Sequence, residues 1–119
     1  MHIDRITTAI THMDKMVSFY NAVFQAGLEP FGPAMDMPFH RGKLDGKMLI
    51  FCPNSIAGVD AQQSRQQFHF VVDDLDAVLQ QALNSGGQLH SPVEQNRNSK
   101  SAAVVDPDGN TMEFIQYTT

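Results

Sequence analysis

The chain has few of the features that would settle a function at once. Among its 119 residues there is one cysteine, Cys52, and no tryptophan. A lone cysteine excludes an internal disulfide and fits a reducing compartment, so a cytoplasmic location is the expectation. No apolar run approaches the ~20 residues of a membrane-spanning helix. The N-terminal Met1-His2-Ile3-Asp4-Arg5 is not a basic leader followed by an apolar stretch, so secretion is not expected. Basic residues are few (eight, against thirteen acidic) and scattered. The close pair Arg41 and Lys43 does not make the concentrated positive surface that nucleic acid demands. The segment Ser99-Lys100-Ser101 lacks the glycines of a phosphate loop. What remains is an acidic globular chain of net charge −5, long enough for one domain that buries roughly two-thirds of its unfolded surface.

The most informative stretch is Asp106-Pro107-Asp108-Gly109-Asn110, followed by Thr111 to Ile115. Its first part is a turn. Pro107 sets φ, Gly109 permits φ > 0, and the Asp and Asn side chains bond back to the backbone. Its second part alternates as a strand and carries one carboxylate, Glu113, between large apolar residues. A carboxylate carried into a sheet is costly without a partner.

The two halves of the chain share one plan. Residues 3–10 alternate as a strand. Thr11 offers a helix cap with Asp14 three positions on. Met16, Val17, Tyr20, Val23 and Phe24 form an apolar helix stripe, which Gly27 ends. In the second half, residues 67–72 read as a strand. Asp73 or Asp74 caps a helix striped by Leu75, Val78, Leu79, Ala82 and Leu83, and Gly86-Gly87 ends it. Arg5 and Gln67, on the two strands, lie 62 residues apart (67 − 5). Each helix is followed by three strand candidates: 28–33, 38–44 and 47–52, then 88–93, 101–105 and 111–117. Residues 44–47 form a hairpin turn. The expected organisation is one domain, 1–119, with a βαβββ unit over 1–53, a polar linker over 54–65 and a second βαβββ unit over 66–119. The fold class is α+β, with the two units forming a cup-shaped mixed β-sheet.

Strand periodicity sorts the side chains. Ile6, Ile10, Phe68, Phe70, Val72, Met112 and Phe114 belong under the helices. Arg5, Thr7, Ala9, Gln67, His69, Val71, Thr111, Glu113 and Ile115 belong on the uncovered face that lines the cup.

With these elements in place, the chain resembles the vicinal oxygen chelate superfamily, which holds glyoxalase I, the bleomycin- and fosfomycin-resistance proteins and the extradiol dioxygenases. The resemblance covers essentially the whole chain. It is carried by residues 3–20, ending in Ser18-Phe19-Tyr20, by Phe70–Ala77 (FVVDDLDA) and by Asp106–Ile115. Metal-dependent members carry two ligands per unit, on the first and last strands. Those four positions fall on Arg5, near Ile50, on Gln67 and on Glu113. Arginine offers no acceptor and isoleucine no donor atom, so neither a metal nor any other cofactor is expected. At this departure from the family pattern, the Arg5 guanidinium is expected in the cation's place, paired with Glu113 and with Gln67 alongside, either as an ion pair that closes the cup or as an anchor for a carboxylate or other polar ligand.

The implied site has Glu113 as the catalytic candidate, with Arg5, Thr7, Phe39, Met48, Cys52, Gln67 and His69 as the ligand-binding set. His69 reads as a general base, a donor to ligand or a satisfied strand histidine. His12 reads as solvent-facing, and His2 and His90 as peripheral. Cys52 reads as a buried, inert thiol, since no neighbour supplies a base. Met35-Asp36-Met37, with Phe31 and Phe39, reads as an adaptable ligand wall or as packing at a dimer contact. The resemblance implies a homodimer, in the commonest arrangement with the first unit of one chain closing a cup with the second unit of its partner. Three functions stay open. The first is a binding protein for a small organic molecule, without metal. The second is a glyoxalase-like lyase or isomerase with Glu113 as base and Arg5 facing a developing oxyanion. The third and weakest is a divalent-metal enzyme of the glyoxalase or dioxygenase type.

Overall fold

A computed structural model describes residues 1–32, 38–57 and 66–118. The chain divides into two compact units, Met1–Ala61 and Gln62–Thr119. Among the described residues, no helix is long and apolar enough to cross a membrane.

Unit one runs β1 (Arg5–Ile10), α1 (Met13–Phe24), β2 (Glu29–Phe31), β3 (Phe39–Leu44), β4 (Lys47–Pro53) and α2 (Asn54–Ala57). Its four strands form a mixed sheet in the order β1-β4-β3-β2. The first strand lies parallel to the last, with Arg5 opposite Met48 and Thr7 opposite Ile50. The other pairs are antiparallel. Helix α1 presents Met16 and Phe19, both fully buried. Tyr20 meets buried Phe51 of β4 edge-on, with ring centroids 5.2 Å apart. That geometry favours aromatic pairs beyond the area they bury.

Several boundaries differ from expectation, each for a local reason. Thr11 does not cap α1. His12 occupies the cap position without a side-chain cap bond, and the Thr11 hydroxyl accepts from Asn54 Nδ2 at 2.7 Å. That bond ties Asn54 back to the start of α1. Residues 54–57, expected as linker, form a helical turn, and Pro53 closes β4. The remainder of the linker, and Met35-Asp36-Met37, lie outside the described residues. Helix α1 ends at Gln25, which is left-handed at φ 51, two residues before Gly27. Asn21 then holds Leu28, accepting from its N–H at 2.7 Å.

Unit two runs β5 (Phe68–Val71), α3 (Leu75–Asn84), β6 (Gln88–Gln95), β7 (Ser99–Val105) and β8 (Thr111–Tyr117). Its sheet order is β5-β8-β7-β6, again with the first and last strands parallel. Asp74 caps α3, accepting from the Ala77 N–H at 3.1 Å. The Leu75 N–H donates to Gln116 Oε1 at 2.7 Å, which ties the start of α3 to β8. Leu75, Leu79, Ala82, Val104, Met112 and Phe114 form the core.

Two expectations about β5 need correction. Gln67 precedes the strand, which begins at Phe68, the first residue of β5 paired with β8. Phe68 has the core parity but is 46% exposed. Helix α3 lies over β7, β6 and β8, leaving the outer strand β5 at the margin of its cover.

The turn before β8 is organised by one buried carboxylate. Asp106 is 3% exposed and accepts from the N–H groups of Asp108 (3.0 Å) and Asn110 (2.9 Å) and from Asn110 Nδ2 (2.9 Å). Its carbonyl accepts from Gly109 N–H at 2.8 Å, where Gly109 sits at φ 86. Asp106→Ala should therefore cost about 2–3 kcal/mol in denaturant unfolding, since it strands backbone donors as well as losing its own bonds. Gly42 of β3 packs where a Cβ would collide with the carbonyl of Ala26. Gly42→Ala should cost about 2–3 kcal/mol in the same measurement, because backbone rather than a side chain must yield.

Candidate functional site

The uncovered face of the unit-two sheet carries a hydrogen-bonded pair. His69 and Glu113 are direct partners on parallel β5 and β8. Their side chains meet at 3.0 Å, His69 Nδ1 to Glu113 Oε1. A carboxylate accepts from the Nδ1–H tautomer, which leaves Nε2 free to face a ligand. His69 is 61% exposed at its side chain and Glu113 34%, so the pair is reachable from solvent and contributes little to stability. Val71, 69% exposed, and Ile115 continue the same face as apolar neighbours. A polar pair beside apolar surface can orient an organic molecule and exchange a proton with it.

The two groups expected to meet each other, Arg5 and Glu113, each have a partner within their own unit. Arg5 Nε donates to Asp4 at 3.0 Å, with both side chains largely exposed. Glu113 takes His69 because the parallel register sets them side by side. Gln67, ahead of the strand, is exposed.

On the uncovered face of the unit-one sheet, Arg5 and Thr7 are exposed on β1, and Met48 is 40% exposed on β4. Phe39 is half-buried on β3, edge-on to Phe31 at 5.8 Å. Cys52 is buried, and burial pushes its thiol up from the ordinary range. Its Sγ lies 3.6 Å from the Pro53 carbonyl. A rise in the thiol means less thiolate at any given pH. Alkylation of Cys52 by iodoacetamide at pH 8 should therefore run at least tenfold slower than for free cysteine, and reach the free rate on denaturation.

The donor chemistry does not make a four-ligand metal centre. The unit-one positions hold Arg5 and Ile50, and among the described residues no three His, Cys, Asp or Glu side chains converge. His69 and Glu113 supply two donors, short of the three or four that a tight divalent site uses.

The paired βαβββ sheets, each with its first and last strands parallel, define the architecture of glyoxalase and bleomycin-resistance proteins. The model of the glyoxalase-like domain family matches residues 5–115, and the chain belongs to that family. Solved structures share the fold at low identity. A glyoxalase-related enzyme from Fulvimarina pelagi aligns at TM-score 0.74 and 20% identity, covering 97% of this chain and 87% of the other. A glyoxalase/bleomycin resistance protein/dioxygenase family enzyme from Burkholderia phytofirmans PsJN aligns at 0.73 and 16%, covering 96% and 97%. The fosfomycin resistance protein FosX from Mesorhizobium loti aligns at 0.71 and 15%, covering 98% and 92%. No match is found among curated proteins.

Two features went unread in the sequence. One is the His69–Glu113 contact. Counting back from the Asp106 turn along two parallel strands would have placed the residues opposite each other. The other is the shared face of the close pair Arg41 and Lys43, whose signal was their spacing of two within a strand.

Proposed function

We propose that the chain binds a small organic molecule against the uncovered faces of its sheets, without a resident metal. The observation that carries this reading is the His69–Glu113 pair, solvent-accessible and set beside apolar side chains rather than inside a ring of metal donors. Arg5, Thr7 and Met48 contribute polar and soft apolar contacts on the unit-one face, and Phe39 an aromatic one. Cys52 supplies packing and no nucleophile. Gln67 sits at the edge of the site as an exposed amide. The protein acts as a homodimer on this reading, as the family resemblance implies, and in the cytoplasm.

The 3.0 Å hydrogen bond also favours a second reading, a lyase or isomerase. The pair would remove a proton from carbon beside a carbonyl and return it elsewhere in the same molecule. The proton goes to Glu113, or to His69 Nε2 with Glu113 holding the ring, and the carbonyl oxygen carries the transient charge.

The test is a thermal-shift screen of organic acids and carbonyl compounds, followed by calorimetry on any compound that raises Tm and by NMR of the compound over hours. For a binding protein, Glu113→Gln lowers affinity by about tenfold or less, one charge-assisted hydrogen bond, and the compound is recovered intact. For an enzyme, wild-type protein converts the compound or exchanges its proton with solvent deuterium, and Glu113→Gln stops this while binding persists. Stoichiometric binding of Zn²⁺, Mn²⁺ or Ni²⁺ that every compound requires would sink both readings.

A further inference from the structure

We propose that the uncovered face of the unit-one sheet is an anion-recognition surface, and that the ligand is a small organic acid: an apolar body carrying a carboxylate, phosphate or phosphonate. This rests on the proposed binding function and narrows it to a chemical class.

The first observation is charge. The chain as a whole is acidic at −5, yet strands β1 to β4 hold four cations, Arg5, Arg41, Lys43 and Lys47, against one carboxylate, Glu29. The excess within this sheet is +3 (4 − 1). The strands of unit two hold one cation, Lys100, against Glu94 and Glu113, an excess of −1 (1 − 2). Asp4, paired with Arg5, and Asp45, in the turn between β3 and β4, lie just outside these strands, so the excess on this face rests chiefly on Arg41 and Lys43.

The second observation is register. Met48 has Arg5 as its partner on one side and Lys43 on the other, and Ile50 has Arg41. Directly paired residues share a face, so Arg5, Arg41 and Lys43 stand on one side of the sheet around Met48 and Ile50. With strands ~4.8 Å apart and ~6.8 Å between alternate residues, Arg41 and Lys43 start ~7 Å apart, Arg5 ~10 Å from Lys43 and ~12 Å from Arg41. That spacing suits an acidic group whose oxygens are taken by two or three donors while its apolar body rests on Met48 and Ile50.

The third observation is that these cations are available. Among the described residues neither Arg41 nor Lys43 makes an ion pair, although Glu29 is Arg41's direct partner on β2. The Arg41 guanidinium instead lies over the Phe31 ring, 5.0 Å from its centroid. Stacking holds the planar fork without using its edge donors, which leaves them for a ligand. Arg5 spends its Nε on Asp4 and keeps its terminal nitrogens. A cavity of about 360 Å³ opens beside these groups, lined by Ala26, Gly27, Arg41, Gly42, Lys43 and Met48. It has the volume for a ligand of roughly a dozen or more non-hydrogen atoms. The Ala26 carbonyl that borders it is already engaged by the Lys43 N–H at 2.8 Å, so the rim is held in place.

The test uses matched probes: phenylacetate and phenylphosphonate as anions, phenylacetamide as the neutral isostere, titrated into the full chain by two-dimensional amide NMR at 50 and 300 mM KCl. Expected are saturable shifts at residues 41–43, 48 and 26–28 with the anions, weakened at high salt, and affinity for the amide at least tenfold lower. Arg41→Gln and Lys43→Gln should each cost about tenfold in anion affinity, the loss of one charge-assisted bond. Lys15→Gln, on exposed helix surface, should change nothing. Arg41→Lys guards against a folding artefact: it keeps charge, loses the fork, and should retain part of the affinity. The amide spectrum of each variant reports its fold. If the amide binds as well as the acids, or the acids shift only residues elsewhere, the anion assignment falls while the binding function stands. If none of the three probes binds, the assignment falls on its own terms. If a wider screen also returns no ligand, the binding function falls with it.

Discussion

The parallel pairing of β5 with β8 is the constraint on which the arrangement of unit two depends. A parallel pair needs a long crossover between its members, here helix α3 and strands β6 and β7. The chain must therefore re-enter the sheet at a defined residue. The Asp106 carboxylate makes that re-entry definite by gathering three donors within four residues. A slip of one residue would turn Met112 and Phe114 out of the core and Glu113 into it. Core packing and the position of the one acid in this strand are thus the same decision. Gln116, further along, reaches the first residue of α3, so helix placement follows from the same strand.

Unit one has the same topology with different chemistry. Its first and last strands also run parallel, but the side chains they bring together are Arg5 with Met48 and Thr7 with Ile50. The corresponding pair in unit two is an imidazole with a carboxylate. One backbone plan, used twice in a chain of the glyoxalase-like family, therefore presents two faces of different character, cations among apolar side chains in one and an imidazole–carboxylate pair in the other.

Much of the fold was legible because the signals are periodic and redundant. Alternation in Thr111–Tyr117 gave that strand its true bounds, and the parity of Ile10, Met112 and Phe114 matches their burial. Asp74 caps its helix as its side chain suggests. Ends were less legible where two groups compete. Thr11 is a good cap, but Asn54, 43 residues away, engages its hydroxyl, and local sequence carries no trace of that bond. Gly27 is the natural helix terminator, yet Gln25 adopts the left-handed conformation first. Side-chain partners within one unit were the less legible part. The His69–Glu113 contact depends on the offset between β5 and β8, which composition does not encode. Cys52 read as inert and is buried, with a raised thiol.

Strand β6 forms the outer edge of the unit-two sheet, and every one of its residues is exposed, Leu89 and Val93 by about half. Its ladder with β7 shifts register twice, between Leu89 and Ser91 and again between Ser91 and Glu94, and Pro92 lacks an amide hydrogen. A foreign strand docking on that border would find no straight run of amides to copy beyond a few residues. The irregularity thus works as insulation: it lets an apolar, solvent-washed margin persist without seeding cross-β stacking between molecules.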